Sequence, residues 1–195
     1  MGVVVSQGLW VVVAVSVGYG IGSLSPAVLV ARVRGVDLLT SGSGNPGATN
    51  AGRVLGWPFG VLVGVLDVLK GFAPALAFGA VEAELALWAG AAAVLGHVTS
   101  PILRGRGGRG VATSLGAVLA VQPWWALLAV VGFGLTVAAT RWVALASMVA
   151  GVVLVSAALV AADSTAQLVW AVFLAALVEI RHVPNIVRWV QTRRG

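Results

Sequence analysis

The chain has 195 residues, of which 59% are apolar and only 9% are charged, and its mean hydropathy is +1.03. This balance excludes an ordinary soluble domain and is typical of an integral membrane protein. The net charge of +6 would suggest a nucleic-acid partner in a soluble protein, but basic residues also collect in the cytoplasmic loops of membrane proteins. The absence of cysteine excludes disulfides, thiol nucleophiles and cysteine-ligated metal sites.

Apolar runs between helix breakers predict an all-α integral membrane protein, with residues 1–195 forming a single transmembrane domain. Seven helices are predicted, at about residues 5–31, 56–80, 83–97, 110–121, 123–140, 142–161 and 165–183. The third and fourth are short, because a bilayer core of about 30 Å needs roughly 20 apolar residues per helix. No basic residue precedes the first run, so we expect a retained helix and not a cleaved signal peptide.

The charges predict how these helices are oriented in the membrane. With the N-terminus outside and the C-terminus inside, the inner loops and tail hold eleven of the twelve basic residues, and Lys70 is the exception. The outer loops hold Glu82, Glu84 and Asp163 and no basic residue. This distribution follows the positive-inside rule and places the glycine-rich loops in the cytoplasm.

Two polar, glycine-rich stretches interrupt the apolar sequence, and both are predicted to face the cytoplasm. The first polar passage is SGSGNPGATNAGR, residues 41–53, and the second is RGRGGRGVATS, residues 104–114. Successive glycines let backbone N–H groups converge on an anion, and arginine matches phosphate oxygens with a fixed fork of donors. In the second passage Arg106 and Arg109 flank Gly107 and Gly108, just before a predicted helix N-terminus. The pattern predicts a phosphate site, and a flexible positively charged turn is the alternative.

Further polar residues are predicted at the same membrane face. They are His97 at the end of the third helix, and His182 with Asn185 at the end of the seventh. One interfacial histidine is compatible with a structural role, but two histidines, an asparagine and three arginines beside two glycine-rich passages favour an active site. No histidine has metal-site spacing and no carboxylates cluster, so neither a metal nor another cofactor is expected.

Three charged residues lie inside predicted helices. Asp67 and Lys70 are three positions apart in the second helix, so they can pair on one helix face. Such a pair is either structural or functional, because intramembrane charges are costly unless they are compensated. Glu179 lies near the inner end of the last helix beside Arg181, which indicates an ion pair at the membrane surface.

Four segments in order along the chain resemble one bacterial family. They are GSLSPAVLVARVRGVDLLTSGSGNPGATNAGRVLG from Gly22, DVLKG from Asp67, GH at 96–97 followed by GGRGVAT from Gly107, and RHVPNI from Arg181. Together they are similar to the acyl-phosphate:glycerol-3-phosphate acyltransferases of the PlsY type. The resemblance implies a seven-helix enzyme of the inner membrane with a cytoplasmic active site. It also implies acyl transfer from acyl phosphate to the 1-hydroxyl of sn-glycerol 3-phosphate, which gives lysophosphatidic acid and phosphate.

The resemblance also implies roles for individual residues. Ser43 and Arg53 match the family's contacts to the acceptor phosphate, and His182 and Asn185 match its RHxxN positions. Arg109 stands where the family usually has the lysine of GGKG. Pro101 lies one place later than the family's proline after GH, which leaves donor chain length and rate open.

The residues themselves add further candidates. Asn45, His97 and Arg106 are predicted to hold the acyl phosphate or to shape the loops, and Gly107 and Gly108 to bind phosphate. A general base is either His182, His97 or the acceptor's own phosphate. The predicted catalytic set is thus His182, Asn185, Arg109 and His97.

The predicted partners are acyl phosphate, sn-glycerol 3-phosphate and membrane lipid, with no nucleic acid. The oligomeric state stays open, and a monomer is compatible with the sequence. An alternative is a transporter for phosphate or another small organic anion, since broken helices and glycine loops also build such sites. A packing subunit is a third reading, but it gives no reason for the histidines and arginines.

Overall fold

The computed structural model describes residues 6–192, apart from the side chains of residues 188–190 and 192. These residues form nine α-helices and one short 3₁₀ turn, Pro101–Leu103, which follows the fifth helix. The helices are α1 Gln7–Ser23, α2 Pro26–Val33, α3 Ala48–Leu55, α4 Trp57–Gly79, α5 Ala83–Thr99, α6 Val111–Val121, α7 Pro123–Thr140, α8 Val143–Ala161 and α9 Thr165–Thr192. The all-helical prediction is therefore confirmed for the described part of the chain.

Six stretches within residues 6–192 are long and apolar enough to cross a membrane. They are Gln7–Val33, Trp57–Gly79, Ala83–Leu103, Pro123–Thr140, Val143–Ala161 and Thr165–Val187. The remaining apolar helix, α6, has 11 residues and is about 16 Å long at 1.5 Å per residue. The protein is thus a multi-span membrane protein, and large side chains such as Leu135, Leu159 and Val160 lie exposed on its helix surfaces, as lipid-facing residues do.

The first predicted helix is broken in the structure. Leu24 and Ser25 are extended, α1 ends at Ser23 and α2 begins at Pro26. Proline disfavours helical geometry in the residue before it but suits the first position of a new helix, and the Ser25 side chain accepts a hydrogen bond from the Val28 N–H at 3.3 Å. The prediction of one continuous helix over 5–31 was wrong at this point.

The described residues fall into two compact units that divide between Val121 and Gln122. In the first unit α1 packs on α5, and α4 packs on α3, α5 and α6. In the second unit α8 packs against both α7 and α9.

Glycines set the close helix contacts of the first unit. A Cβ on Gly18 or Gly22 of α1 would overlap the backbone carbonyls of Ala89 or Ala93 in α5. In the same way, a Cβ on Gly71 of α4 would overlap the backbone of α6. Small residues of this kind let helix backbones approach closely in a membrane.

Candidate active site

The first polar passage is organised around the buried side chain of Asn50. Its Oδ1 accepts a hydrogen bond from the Ser43 N–H at 2.9 Å, and its Nδ2 donates to the Ser41 carbonyl at 3.0 Å and to the Leu38 carbonyl at 3.4 Å. Gly42 has a φ of 61° and a Cβ there would overlap the Asn50 amide, so the tight turn requires glycine. Asn50 thereby fixes the segment that presents the exposed side chain of Ser43.

Part of this passage is helical, which corrects the expectation of a loop over residues 32–55. Helix α3 begins at Ala48 after the extended Gly47, and ends at Leu55 before Gly56, whose φ is 102°. Arg53 lies in its last turn and is exposed. Asn45 is half-buried just before the helix, and its carbonyl accepts the Gly47 N–H at 2.9 Å.

The second polar passage contacts the turn that leads into the first. After the Pro101–Leu103 turn the chain reverses through Arg104 and Gly105, both left-handed, and reaches α6 through Gly110, whose φ is 85°. The Nη2 of Arg106 donates a hydrogen bond to the Leu39 carbonyl at 3.3 Å. This contact joins the second passage to the turn that directly precedes the first passage within the first unit.

The glycines of the second passage lie against His97. The Gly108 N–H donates to the His97 carbonyl at 3.0 Å, so this amide is engaged within the protein. A Cβ on Gly108 would overlap the His97 imidazole, and one on Gly107 would overlap the carbonyls of His97 and Val98. The loop therefore needs glycine because it rests directly on the end of α5, with the half-buried Arg109 following it.

Asp67, Lys70 and His97 form a buried cluster of ionisable side chains beside this loop. The Lys70 Nζ lies 2.9 Å from the Asp67 Oδ1, which confirms the predicted pair, and the His97 Nδ1 lies 3.6 Å from the same oxygen. Lys70 also donates to the Leu24 carbonyl at 2.8 Å. That carbonyl lies at the break between α1 and α2, where no helical hydrogen bond is available to it.

Two predicted residues lie in the second unit, on α9. His182 is 1% exposed, and its Nδ1 donates to the Val178 carbonyl at 2.7 Å. Because a carbonyl only accepts, Nδ1 carries the proton and Nε2 is the acceptor nitrogen in the neutral ring. Asn185 is half-buried and lies three residues further along the helix, on the same side of it. Their convergence with the two polar passages stays a prediction.

Glu179 differs from its predicted surface ion pair. Its Oε1 is buried and has no hydrogen-bond partner among residues 6–192, and a Cβ on Gly151 of α8 would lie 2.9 Å from it. The carboxylate therefore faces the α8–α9 contact and not the membrane surface.

Three polar residues of the first unit are absent from the predicted site residues. Asn50 is one, although its place inside the first polar passage pointed to it. The others are Thr113 and Ser114 in the first turn of α6, whose buried hydroxyls have no hydrogen-bond partner in the described part of the chain. No group of three or more His, Asp or Glu side chains suited to a metal ion occurs among the described residues.

Comparison with known proteins identifies the family. The family model for glycerol-3-phosphate acyltransferase matches residues 12–192. The glycerol-3-phosphate acyltransferase of Aquifex aeolicus (strain VF5) is 41% identical over 180 residues, covering 90% of this chain and 93% of its own. That of Clostridioides difficile (strain 630) is 41% identical over 188 residues, covering 92% and 91%.

Two crystal structures of PlsY (YgiH), an integral membrane glycerol 3-phosphate acyltransferase, share the fold. The glycerol 3-phosphate form has a TM-score of 0.89 and 39% sequence identity, covering 94% of this chain and 93% of that one. The lysophosphatidic acid form has a TM-score of 0.87 and 38% identity over the same shares. The chain therefore belongs to the glycerol-3-phosphate acyltransferase family.

Proposed function

We propose that this protein is the membrane enzyme that acylates sn-glycerol 3-phosphate at its 1-hydroxyl and forms lysophosphatidic acid, the first step of phospholipid synthesis. The observation that carries this proposal is the likeness to PlsY along 94% of the chain at 39% identity. PlsY is known in both a glycerol 3-phosphate form and a lysophosphatidic acid form. We therefore assign glycerol 3-phosphate as the substrate and lysophosphatidic acid as the product of this protein.

Acyl phosphate is the proposed donor. The acceptor oxygen attacks the acyl carbon, the bond between that carbon and the phosphate oxygen breaks, and phosphate leaves with the electron pair. The hydroxyl proton passes to a base and leaves with the products. Because the donor is already activated, alignment of the two substrates supplies most of the acceleration, an effect worth up to about 7–11 kcal/mol in ideal systems.

Each of the two polar passages binds one of the two phosphates in this proposal. Ser43 and Arg53 hold the acceptor phosphate, with Ser43 fixed through Asn50. Arg106 and Arg109 neutralise the charge that develops on the leaving phosphate. The hydrogen bond from Arg106 to the Leu39 carbonyl supports this arrangement, because it keeps the donor site beside the acceptor site. Asn45, Gly107 and Gly108 shape the two binding loops.

His182 and Asn185 complete the site in this proposal. With Nδ1 donating to the Val178 carbonyl, the Nε2 of neutral His182 can accept a hydrogen bond from the acceptor hydroxyl. Asn185 orients the same substrate through its amide. The proton is taken by the acceptor's own phosphate or by His182 or His97, and no acyl-enzyme is required.

The proposed topology has seven crossings, with the short α6 as the additional one. The N-terminus is outside and the C-terminus inside, so the site faces the cytoplasm from the inner membrane. The basic loops support this orientation through the positive-inside rule. Residues 1–195 act as a single transmembrane acyltransferase domain in this proposal, and the acyl chain lies between apolar helices that open to the bilayer. No cofactor takes part.

The relatives favour the acyltransferase over the alternative of an anion transporter. They are glycerol-3-phosphate acyltransferases, and their similarity to this protein extends over most of both chains. The deciding experiment measures phosphate release and lysophosphatidic acid with the purified protein in lipid vesicles. Palmitoyl phosphate and glycerol 3-phosphate are supplied separately and then together, with palmitoyl-CoA as a donor control.

Both products should appear only when both substrates are present. Activity with palmitoyl-CoA and none with palmitoyl phosphate would overturn the donor but keep the reaction class. No product from either donor in folded protein, together with uptake of labelled glycerol 3-phosphate into the vesicles, would favour the transporter.

A further inference from the structure

The Asp67 carboxylate has more neighbours than charge neutralisation requires. It is 2% exposed, and Lys70 on the same helix already supplies an opposite charge at 2.9 Å. Its Oδ1 also lies 3.6 Å from the Nδ1 of His97 on α5. A buried pair alone would need only good mutual geometry and hydrogen bonds, so the histidine contact points to a further role.

The opposite edge of the His97 ring faces the glycine loop. A Cβ on Gly108 would overlap the Nε2, Cε1 and Cδ2 atoms of the imidazole. The loop is also tied to this residue through its backbone, since the Gly108 N–H donates to the His97 carbonyl. The imidazole is thus placed between Asp67 on one side and the backbone that joins Arg106 to Arg109 on the other.

Lys70 fixes the position of Asp67. Its ammonium bridges the carboxylate and the Leu24 carbonyl at the break between α1 and α2. The next residue along α4, Gly71, lies in close contact with the backbone of α6. The carboxylate is therefore fixed by Lys70 beside a close helix contact of the first unit, and a residue that orients another side chain needs such support.

We propose that Asp67 is a positioning residue for the acyl transfer: it holds His97 with Nδ1 toward α4 and Nε2 against Gly108, and so sets the loop that carries Arg106 and Arg109. Because a carboxylate accepts hydrogen bonds and cannot donate them, this role requires the neutral ring to carry its proton on Nδ1. Lys70 acts as the counter-ion that keeps the carboxylate in place. This inference rests on the proposed function, since the loop is the proposed site of the leaving phosphate.

The first test determines which nitrogen of the His97 ring carries the proton, and it needs no substrate. The chain has two histidines, so ¹⁵N-labelled histidine gives two sets of ring signals, and the His182→Gln variant assigns those of His97. The expected result is a proton on Nδ1 of His97 in the unsubstituted protein, with a changed tautomer balance in Asp67→Asn. A His97 ring that is unaffected by Asp67→Asn would overturn the inference.

The second test measures kinetics for each folded variant in lipid vesicles. Asp67→Asn should lower kcat by about 10- to 100-fold, the effect of slight misplacement at a reacting centre, and leave the KM for glycerol 3-phosphate within about twofold. Glu82→Gln is the matched control, because it makes the same chemical change at an exposed residue. A merely structural Asp67 would reduce the yield of folded protein but leave the turnover of the folded fraction unchanged.

The third test places the two residues in a mutant cycle. His97→Ala should lower turnover about as much as Asp67→Asn, and the double variant should lose little more, because both changes remove the same arrangement. Losses that multiply would overturn the inference. If Asp67→Asn does not fold, Asp67→Asn with Lys70→Met removes both buried charges together and replaces it in the cycle.

The outcomes separate this inference from the proposed function. Unsubstituted protein that forms no lysophosphatidic acid from either donor would refute the proposed function, and with it the role of Asp67 in acyl transfer, whatever the ring shows. Active unsubstituted protein with Asp67→Asn at equal turnover would refute the positioning role alone.

Discussion

Asn50 holds Ser43 in place: its Oδ1 accepts a hydrogen bond from the Ser43 N–H at 2.9 Å. The other end of the same amide donates to the carbonyls of Ser41 and Leu38. One buried side chain thus satisfies three backbone groups of the turn segment 38–43. The residue proposed to bind the acceptor phosphate, Ser43, is thus held through its own backbone N–H.

Asn50→Asp should weaken acceptor binding. The carboxylate keeps an acceptor for the Ser43 N–H but loses both donors and faces two carbonyls, which costs about 1–3 kcal/mol for the unsatisfied groups. We expect a lower thermal midpoint and a higher KM for glycerol 3-phosphate, measured in the vesicle assay. Thr40→Ala is the control, since it removes one exposed hydrogen bond to Asp37 in the neighbouring turn. Equal KM values in both variants would contradict the role of Asn50.

Gly108→Ala should abolish most activity. The added Cβ would overlap the His97 ring and push the second polar passage away from α5, and a displacement of about 1 Å at a reacting centre can cost about 100-fold. Gly134→Ala in α7 is the control, because nothing lies within 4 Å of its added Cβ. Turnover with saturating palmitoyl phosphate distinguishes the two. Full activity in Gly108→Ala would mean that the loop does not depend on this contact.

Gly22→Ala should destabilise the first unit without a direct effect on substrate binding. Its Cβ would overlap the Ala93 backbone, and overpacking of this kind costs about 1–3 kcal/mol. Gly20→Ala provides a control in the same helix, with no atom within 4 Å of the new Cβ. Thermal unfolding in detergent should show a lower midpoint for Gly22→Ala only. Matching midpoints would contradict the close contact of α1 and α5.

The sequence predicted those features that follow from local patterns. The apolar runs located the long helices, and the three-residue spacing of Asp67 and Lys70 predicted their ion pair. The break at Leu24 and Ser25 was missed because hydropathy is continuous across it, although Ser25 followed by Pro26 is a helix-start signal. The contact of Asp67 with His97 was not predictable from spacing, because it depends on how α4 packs against α5. Glu179 was misread for the same reason, since its neighbour Gly151 is distant in sequence.

Arg53→Ala should raise the KM for glycerol 3-phosphate. Loss of a hydrogen bond between charged groups costs about 1.5–3 kcal/mol, which corresponds to about 10- to 100-fold in affinity. Arg32→Ala is the control, because it removes another exposed arginine near the end of a short helix of the same unit. Initial rates across a range of glycerol 3-phosphate concentrations separate the two variants. An unchanged KM in folded Arg53→Ala would remove Arg53 from the acceptor site.

Arg109→Lys should retain activity, whereas Arg109→Ala should not. Lysine keeps the positive charge that neutralises the leaving phosphate, so activity should remain. Because lysine lacks the planar fork of donors, we expect turnover to fall, but to stay within about tenfold of the unsubstituted protein. Arg109→Ala leaves the charge on the departing phosphate without this partner, and a loss of about 100-fold or more is expected. Phosphate release at saturating glycerol 3-phosphate measures both variants. If lysine and alanine were equally harmful, the guanidinium geometry and not its charge would be the essential property of this position; if both were harmless, Arg109 would not contact the leaving group.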